Sequence, residues 1–346
     1  MTQFYKVDPL KPDGKILKKA AEIIRKGGLV AFPTETVYGL GADALNPDAV
    51  KKIFVSKGRP LDNPLIVHVA DKDQIYRLAR KIPKEAEDLI KEFFPGPLTI
   101  VLKKRSIVPN ETTANLPTVA IRMPNHEIAL ALIKESETPI AAPSANKAGR
   151  PSPTKAKHVL EDLNGKVDLI IDGGATEFGL ESTIVDLTTK PPQLLRPGAV
   201  TAEMLREVLG AFQVHPAVLE KGVEKNVVAR SPGMKYRHYA PKANLIVITG
   251  NDKDVQVKIE GLIQEFSRKN LKVGVATTTG KEYGANYVEK LGESKREIAR
   301  RLFDILRKFD EADVDVILAE GVEEEGLGLA IMNRLKKASG YQVVRT

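Results

Sequence analysis

A-F-P-T-E-T-V-Y-G-L-G-A-D-A, Ala31 to Ala44, is the stretch on which the reading of this chain turns. An apolar run, Leu29 to Phe32, has the length and composition of a buried strand and breaks off at Pro33. The Thr, Glu, Thr and Tyr that follow, interleaved with glycine, suit a binding loop better than a core. Shortly downstream, S-K-G-R-P-L-D-N-P-L-I-V-H-V (Ser56 to Val69) sets two fixed cations, Lys57 and Arg59, around Gly58. A strand that ends in hydroxyls beside a cation pair reads as a loop cluster for an anionic ligand, a nucleotide phosphate above all.

Outward from that stretch the chain alternates helices and strands. Gly14 to Arg25 has apolar residues at helical spacing, Asp13 as its cap and Gly27-Gly28 to end it. Asn46-Pro47 opens a helix over Asp48 to Val55. Further strands are expected at Leu65–Val69, Leu98–Leu102, Thr118–Arg122, Ile140–Ala142, Asp168–Ile171 and Thr183–Leu187. Helices are expected at Lys84–Phe94, His126–Ser136, Thr154–Leu163 and Thr201–Leu209. After residue 210 the pattern lapses, and A-R-S-P-G-M-K-Y-R-H-Y-A-P (Ala229 to Pro241) suits neither a helix nor a flexible linker. Leu245–Thr249, Val273–Thr277 and Val314–Leu318 are then apolar strands separated by helical stretches. The expected class is α/β. A first domain over 1–210 has a large mixed, twisted sheet with flanking helices, and 211–242 forms an ordered linker or lid. A smaller, doubly wound parallel domain occupies 243–346.

Composition removes several chemistries. There is no cysteine among the 346 residues, so disulfides, thiolate metal sites and cysteine nucleophiles are excluded. The five histidines are scattered singly, without metal-ligand spacing. Gly174 to Gly179 has P-loop glycine spacing but lacks the Lys and Ser/Thr, Gly326-Leu-Gly328 lacks a third glycine, and no G-x-S-x-G elbow occurs. No signal core and no bilayer-length apolar run is present, so a soluble, cytoplasmic protein is expected. Ala243 to Thr346 holds 17 basic and 17 acidic residues, which leaves the whole net charge of +8 on Met1 to Lys242. The excess positive charge thus accompanies the phosphate-like motifs.

Loops at several strand ends supply the candidate site. Lys57 and Arg59 form one group, with Asn63 and His68 close behind. Arg122 closes the strand T-V-A-I-R, A-A-P-S-A-N (Ala141 to Asn146) offers Ser144 and Asn146, G-L-E-S-T offers Ser182, and L-L-R-P-G carries Arg196. Taken singly, Lys57 reads as a surface lysine, His68 as a core histidine and the two arginines as strand-end salt bridges. Four strand ends supplying polar groups together favour a ligand site.

On these residues the chain resembles the YrdC-like threonylcarbamoyl-AMP synthases in their long, two-domain form. The paired K-x-R and S-x-N signature stands at Lys57-Gly-Arg59 and Ser144-Ala-Asn146, with P-T-E-T-V-Y-G-L-G, G-L-E-S-T-I-V-D and R-P-G in order. S-P-G-M-K-Y-R-H-Y-A-P and A-I-M-N-R-L-K-K-A (Ala330 to Ala338) resemble the long form in particular. The resemblance implies that L-threonine, bicarbonate and ATP give threonylcarbamoyl-adenylate and pyrophosphate. A separate transferase would then use the adenylate to modify tRNAs that read codons starting with A. It places Lys57 and Arg59 as catalytic residues on the phosphates. Asn63, Thr118, Ser144, Asn146, Ser152, Arg196 and Tyr236 would join them on the nucleotide, and Thr36, His68, Arg122, Ala142 and Ser182 around threonine. Mg2+ is expected on the triphosphate, held mainly by phosphates and water, and the segment with Tyr236 and His238 could fold over the site as a lid. The competing reading is a non-catalytic module for double-stranded RNA or tRNA. It would use the basic first domain, but the 5% aromatic content and absence of Trp give it no stacking platform.

Overall fold

The computed structural model describes residues 1–219 and 238–346. They divide into two compact units, of which the second takes Gly149–Pro151 from the middle of the chain as well as the C-terminal residues from 238 onward. The first unit holds eleven strands: β1 (Gln3–Lys6), β2 (Val30–Phe32), β3 (Gly39–Asp43), β4 (Ile66–His68), β5 (Leu98–Lys103), β6 (Thr118–Arg122), β7 (Ile140–Ala141), β8 (Leu169–Asp172), β9 (Thr183–Asp186), β10 (Gln193–Arg196) and β11 (Gln213–Val214). They form one mixed sheet in the order β1-β8-β2-β3-β7-β4-β6-β5-β9-β10-β11.

Helix ends follow their capping chemistry. Asp13 accepts from the Lys15 amide ahead of the helix Gly14–Arg25, and Asn46 accepts from Asp48 and Ala49 ahead of Pro47–Lys57. Strand β3 departs from expectation, since its glycines suggest a loop. Gly41 is required by contact: a Cβ there would lie 2.7 Å from Phe32 Cε1 and 2.8 Å from Ile140 Cγ2. The segment before β3 is also no open loop, because Thr34, Glu35, Thr36, Val37 and Tyr38 are all buried. Their composition is that of a loop, but its polar groups are turned inward.

Period-two alternation sorts the sheet into two faces. Ala31, Val67, Ile100, Val119, Ile121, Val185 and Leu194 enter the main core with residues of five helices: Pro47–Lys57, Lys72–Leu78, Lys84–Phe93, Ala156–Leu163 and Ala202–Leu209. On the opposite face, Val30, Phe32, Ile140, Leu169 and Ile171 pack under Gly14–Arg25 and Glu127–Ser136. Over β4, β6, β5, β9 and β10 that second face carries only a small apolar group, Ile66, Val101, Ala120, Ile184 and Leu195, which includes no helical residue among those described. Two helices thus cover one half of the face and leave the other half to side chains of the strands.

In the second unit, β12 (Asn244–Thr249), β13 (Val273–Thr277), β14 (Tyr287–Lys290), β15 (Val316–Glu320) and β16 (Val343–Arg345) form a parallel sheet in the order β14-β13-β15-β12-β16. Ile248, Ile259, Val273, Val275 and Leu318 lie in its core. The expected strict alternation is interrupted, since β14 pairs beside β13 with no helix between them. Its half-buried Y-V-E-K carries too little apolar signal to be read as a strand. The late N-R motif is internal: Asn333 and Arg334 are buried on the helix Leu327–Ala338, and the Arg334 guanidinium lies 5.6 Å from the ring centre of Tyr239. Tyr239 itself stacks on Phe303.

Candidate active site

The carboxyl ends of β4 and β6 lie side by side, with His68 opposite Arg122. Arg122 is buried, yet its guanidinium is well furnished. Nη1 donates to Thr36 Oγ1 at 2.8 Å, Nε donates to the Gly96 carbonyl at 3.3 Å, and Nη2 lies 2.7 Å from Glu35 Oε1. One strand further on, Thr99 on β5 shares a 2.8 Å hydrogen bond with Ser182, to which Arg196 Nη2 donates at 3.1 Å while its Nε donates to the Ser182 carbonyl. Ser182 immediately precedes β9. Because β9 runs parallel to β5 and β5 antiparallel to β6, the start of β9 reaches the same sheet end as Arg122. Thr36, His68, Arg122, Ser182 and Arg196 are therefore gathered along one end of that half-face. Ala142 lies beside them, its amide donating to the Ile66 carbonyl.

The K-x-R and S-x-N motifs are fastened to each other. Lys57 is the last residue of its helix and Gly58 turns the chain with φ 61°, a left-handed conformation that glycine adopts without penalty. The buried Lys57 ammonium donates to the carbonyls of Ser144 and Asn146, and the Ala148 amide returns a bond to the Lys57 carbonyl. Lys57, expected on phosphate, here shapes the loop that would meet phosphate. Arg59 donates to the carbonyls of Asn63 and Pro64 at 3.3 Å, and the buried Asn63 side-chain oxygen accepts no hydrogen bond. The Tyr38–Leu40 backbone pairs with 143–145, which brings the T-E-T segment against the same loop.

The remaining expected residues are placed variously. Ser152 donates to Glu181 Oε1 at 2.5 Å. Thr118 is on the same face as Arg122 but at the opposite end of β6, about 13 Å away at ~3.3 Å per residue. There it lines a cleft with Arg80, Lys103 and Asn115. Tyr236 lies outside the described residues, and His238 belongs to the second unit.

Residues 22–198 match a family model described as "Telomere recombination", and residues 200–340 match one described as "Threonylcarbamoyl-AMP synthase, C-terminal domain". A threonylcarbamoyl-AMP synthase of Pyrococcus abyssi is 57% identical over 95% of both chains, and one of Bacillus subtilis is 49% identical over 98% of this chain and 97% of its own. This chain belongs to the threonylcarbamoyl-AMP synthase family. A crystal structure of P. abyssi Sua5 complexed with L-threonine has 55% identity and superposes with a TM-score of 0.95, covering 100% of each chain.

Within this synthase framework two residues that sequence reasoning passed over stand at the centre of the site. Glu35 touches Arg122, and His126, just ahead of the helix Glu127–Ser136, lies in the electrostatic reach of both. The T-E-T motif held Glu35 in plain view, but nothing in the motif indicates a buried carboxylate. Burial, reinforced by the Arg122 charge, pushes the His68 imidazole down to about 3, and burial also lowers His126. Both rings are neutral at physiological pH. Neither Nδ1 has a hydrogen-bond partner. Near R-P-G, Gly198 is fixed by space: a Cβ would stand 2.4 Å from the Thr183 amide nitrogen.

Proposed function

We infer that this chain joins L-threonine, bicarbonate and ATP into threonylcarbamoyl-adenylate with release of pyrophosphate. The observation that carries the reading is the buried row of Arg122, His68 and Ser182 on a half-face whose small apolar cluster includes no helical residue among those described, in a chain of this family. Arg122 supplies the planar fork that an amino-acid carboxylate takes, and neutral His68 and the hydroxyls of Thr36 and Ser182 suit a short polar side chain. Threonine's ammonium gives one proton to solvent, and the neutral amine adds to CO2 derived from bicarbonate, its second proton leaving with the bicarbonate hydroxide as water. An oxygen of the resulting carbamate attacks the ATP α-phosphorus, and pyrophosphate leaves. The protein contributes position and charge neutralisation and needs no nucleophile of its own.

On the nucleotide we place Arg59, Asn63, Thr118, Ser144, Asn146, Ser152 and Arg196, with Lys57 acting through the loop it fastens. Magnesium would travel on the triphosphate, held by phosphate oxygens and water. The donor set suits that arrangement: the loops offer cations and hydroxyls, and no group of three His, Asp or Glu among the described residues is placed to hold a metal. The adenylate would pass to a tRNA-modifying transferase in the cytoplasm. No helix among the described residues is long and apolar enough to cross a membrane.

Pyrophosphate release from ATP and magnesium tests the reading, measured with and without L-threonine and bicarbonate. Release that requires both is expected. Release indifferent to threonine would sink the assignment and turn attention to RNA binding by the basic first domain.

A further inference from the structure

Glu35 is 3% exposed, between the two threonines of T-E-T. A carboxylate at that depth is unfavourable unless donors satisfy it. Its Oε1 lies 2.7 Å from Arg122 Nη2 but outside hydrogen-bond alignment, and neither of its oxygens receives a hydrogen bond. The guanidinium is directed elsewhere, to Thr36 and to the Gly96 carbonyl. The backbone holds Glu35 in place. Its carbonyl accepts from the Phe178 amide at 2.8 Å, and the Thr34 hydroxyl bonds to the Thr36 and Val37 amides and to the Val37 carbonyl. The imidazoles nearby bring no positive charge, since burial keeps both His68 and His126 neutral.

The site end therefore presents one fixed negative group beside one fixed positive group, and the negative one lacks hydrogen-bond donors. A zwitterionic α-amino acid is the complement of such a pair, its carboxylate on the guanidinium and its ammonium on the carboxylate. We propose that Glu35 binds the α-ammonium of the amino-acid substrate and makes the site select a free amino acid over an acid without the amine. This rests on the reading of the substrate as threonine. It gives the motif's glutamate a role distinct from holding Arg122 in position.

Calorimetry on the full chain separates the two roles, using L-threonine and (2S,3R)-2,3-dihydroxybutanoate, in which a hydroxyl replaces the amine. A charge-assisted hydrogen bond of ordinary strength predicts that the wild-type protein prefers threonine by about 30-fold. In Glu35→Gln that preference should shrink to about 3-fold through weaker threonine binding, the dihydroxy acid binding much as before. Equal weakening of both ligands in Glu35→Gln would overturn the proposal and leave Glu35 as a support for Arg122. If the variant fails to fold, the wild-type comparison decides: equal affinity for the two ligands overturns the proposal. Threonine-dependent pyrophosphate release alongside equal affinity would remove Glu35's role and keep the synthase reading. Threonine that neither binds nor stimulates release would remove both.

Discussion

At the end of β15 in the second unit, the buried carboxylate of Glu320 accepts from the amides of Thr278 and Thr279, from both their hydroxyls, and from Tyr283 at 2.5 Å. In the first unit the equally buried Glu35 accepts none. Burial works to raise the Glu320 carboxyl, but the hydrogen bonds outweigh it and hold the group below its ordinary range. Arg334 likewise donates to Asn333 and lies over Tyr239. The second unit uses buried charge as internal architecture. The first leaves side-chain atoms of Glu35, His68 and His126 without hydrogen bonds around one end of one sheet face. Buried polar groups are ordinarily satisfied, so a run of exceptions marks the place built for a ligand.

Four changes would break or sharpen that contrast, in falling order of effect. Arg122→Ala should weaken L-threonine binding by at least about 100-fold while leaving ATP affinity intact, because it removes the fork and leaves Glu35 uncompensated. An equal loss of ATP affinity in titration would show that the two halves of the site are not separate. Glu320→Ala should lower stability to denaturant by about 3 kcal/mol, since it strips five donors of their acceptor. Threonine affinity in the folded fraction should not move, and a change there would mean that Glu320 is more than architecture.

Lys57→Met should raise the ATP KM about 10-fold through release of the Ser144–Asn146 carbonyls, a loss of one or two charge-assisted bonds. An unchanged KM with a collapsed kcat would instead put the ammonium on the reacting phosphates. The effect that is smallest near neutrality, and grows only on acidification, is in pH. His68 titrates near 3 when folded against an ordinary 6.5, so the unfolded chain takes up the proton first. Its contribution to stability is full above pH 6.5 and is lost on acidification at about 1.4 kcal/mol per unit, down to about pH 3. Denaturant titrations of the wild type and His68→Asn should differ by that slope, and parallel curves would show that His68 is hydrated.

Much of the fold was legible because its signals are local. Gly14–Arg25 and Thr118–Arg122 occur with the bounds their patterning indicates, one from an aspartate cap and helical spacing, the other from an apolar run closed by a charge. The strands missed, β3, β10, β14 and β16 among them, are rich in glycine or polar residues, or are short. Their pairing comes from neighbours distant in the chain: β3 is held between β2 and β7, and β14 beside β13. Ser182 is legible as the residue just ahead of the strand expected at Thr183–Leu187. Only the mixed strand directions of the sheet bring it round to Arg122.

The order of motifs, the charge carried by the first 242 residues and the absence of cysteine are properties of the sequence. They determined the family, the α/β class and the identity of the cations and hydroxyls at the site, because residue chemistry and local propensity need no partner to be read. Which of those groups are spent on the protein and which are left for a ligand was decided by tertiary structure alone. Lys57 is turned onto the loop that its own motif accompanies, and Glu35 is buried against Arg122 with its oxygens unsatisfied. Satisfaction of a buried polar group is a property of its surroundings, and those surroundings are assembled from strands that lie far apart in the chain.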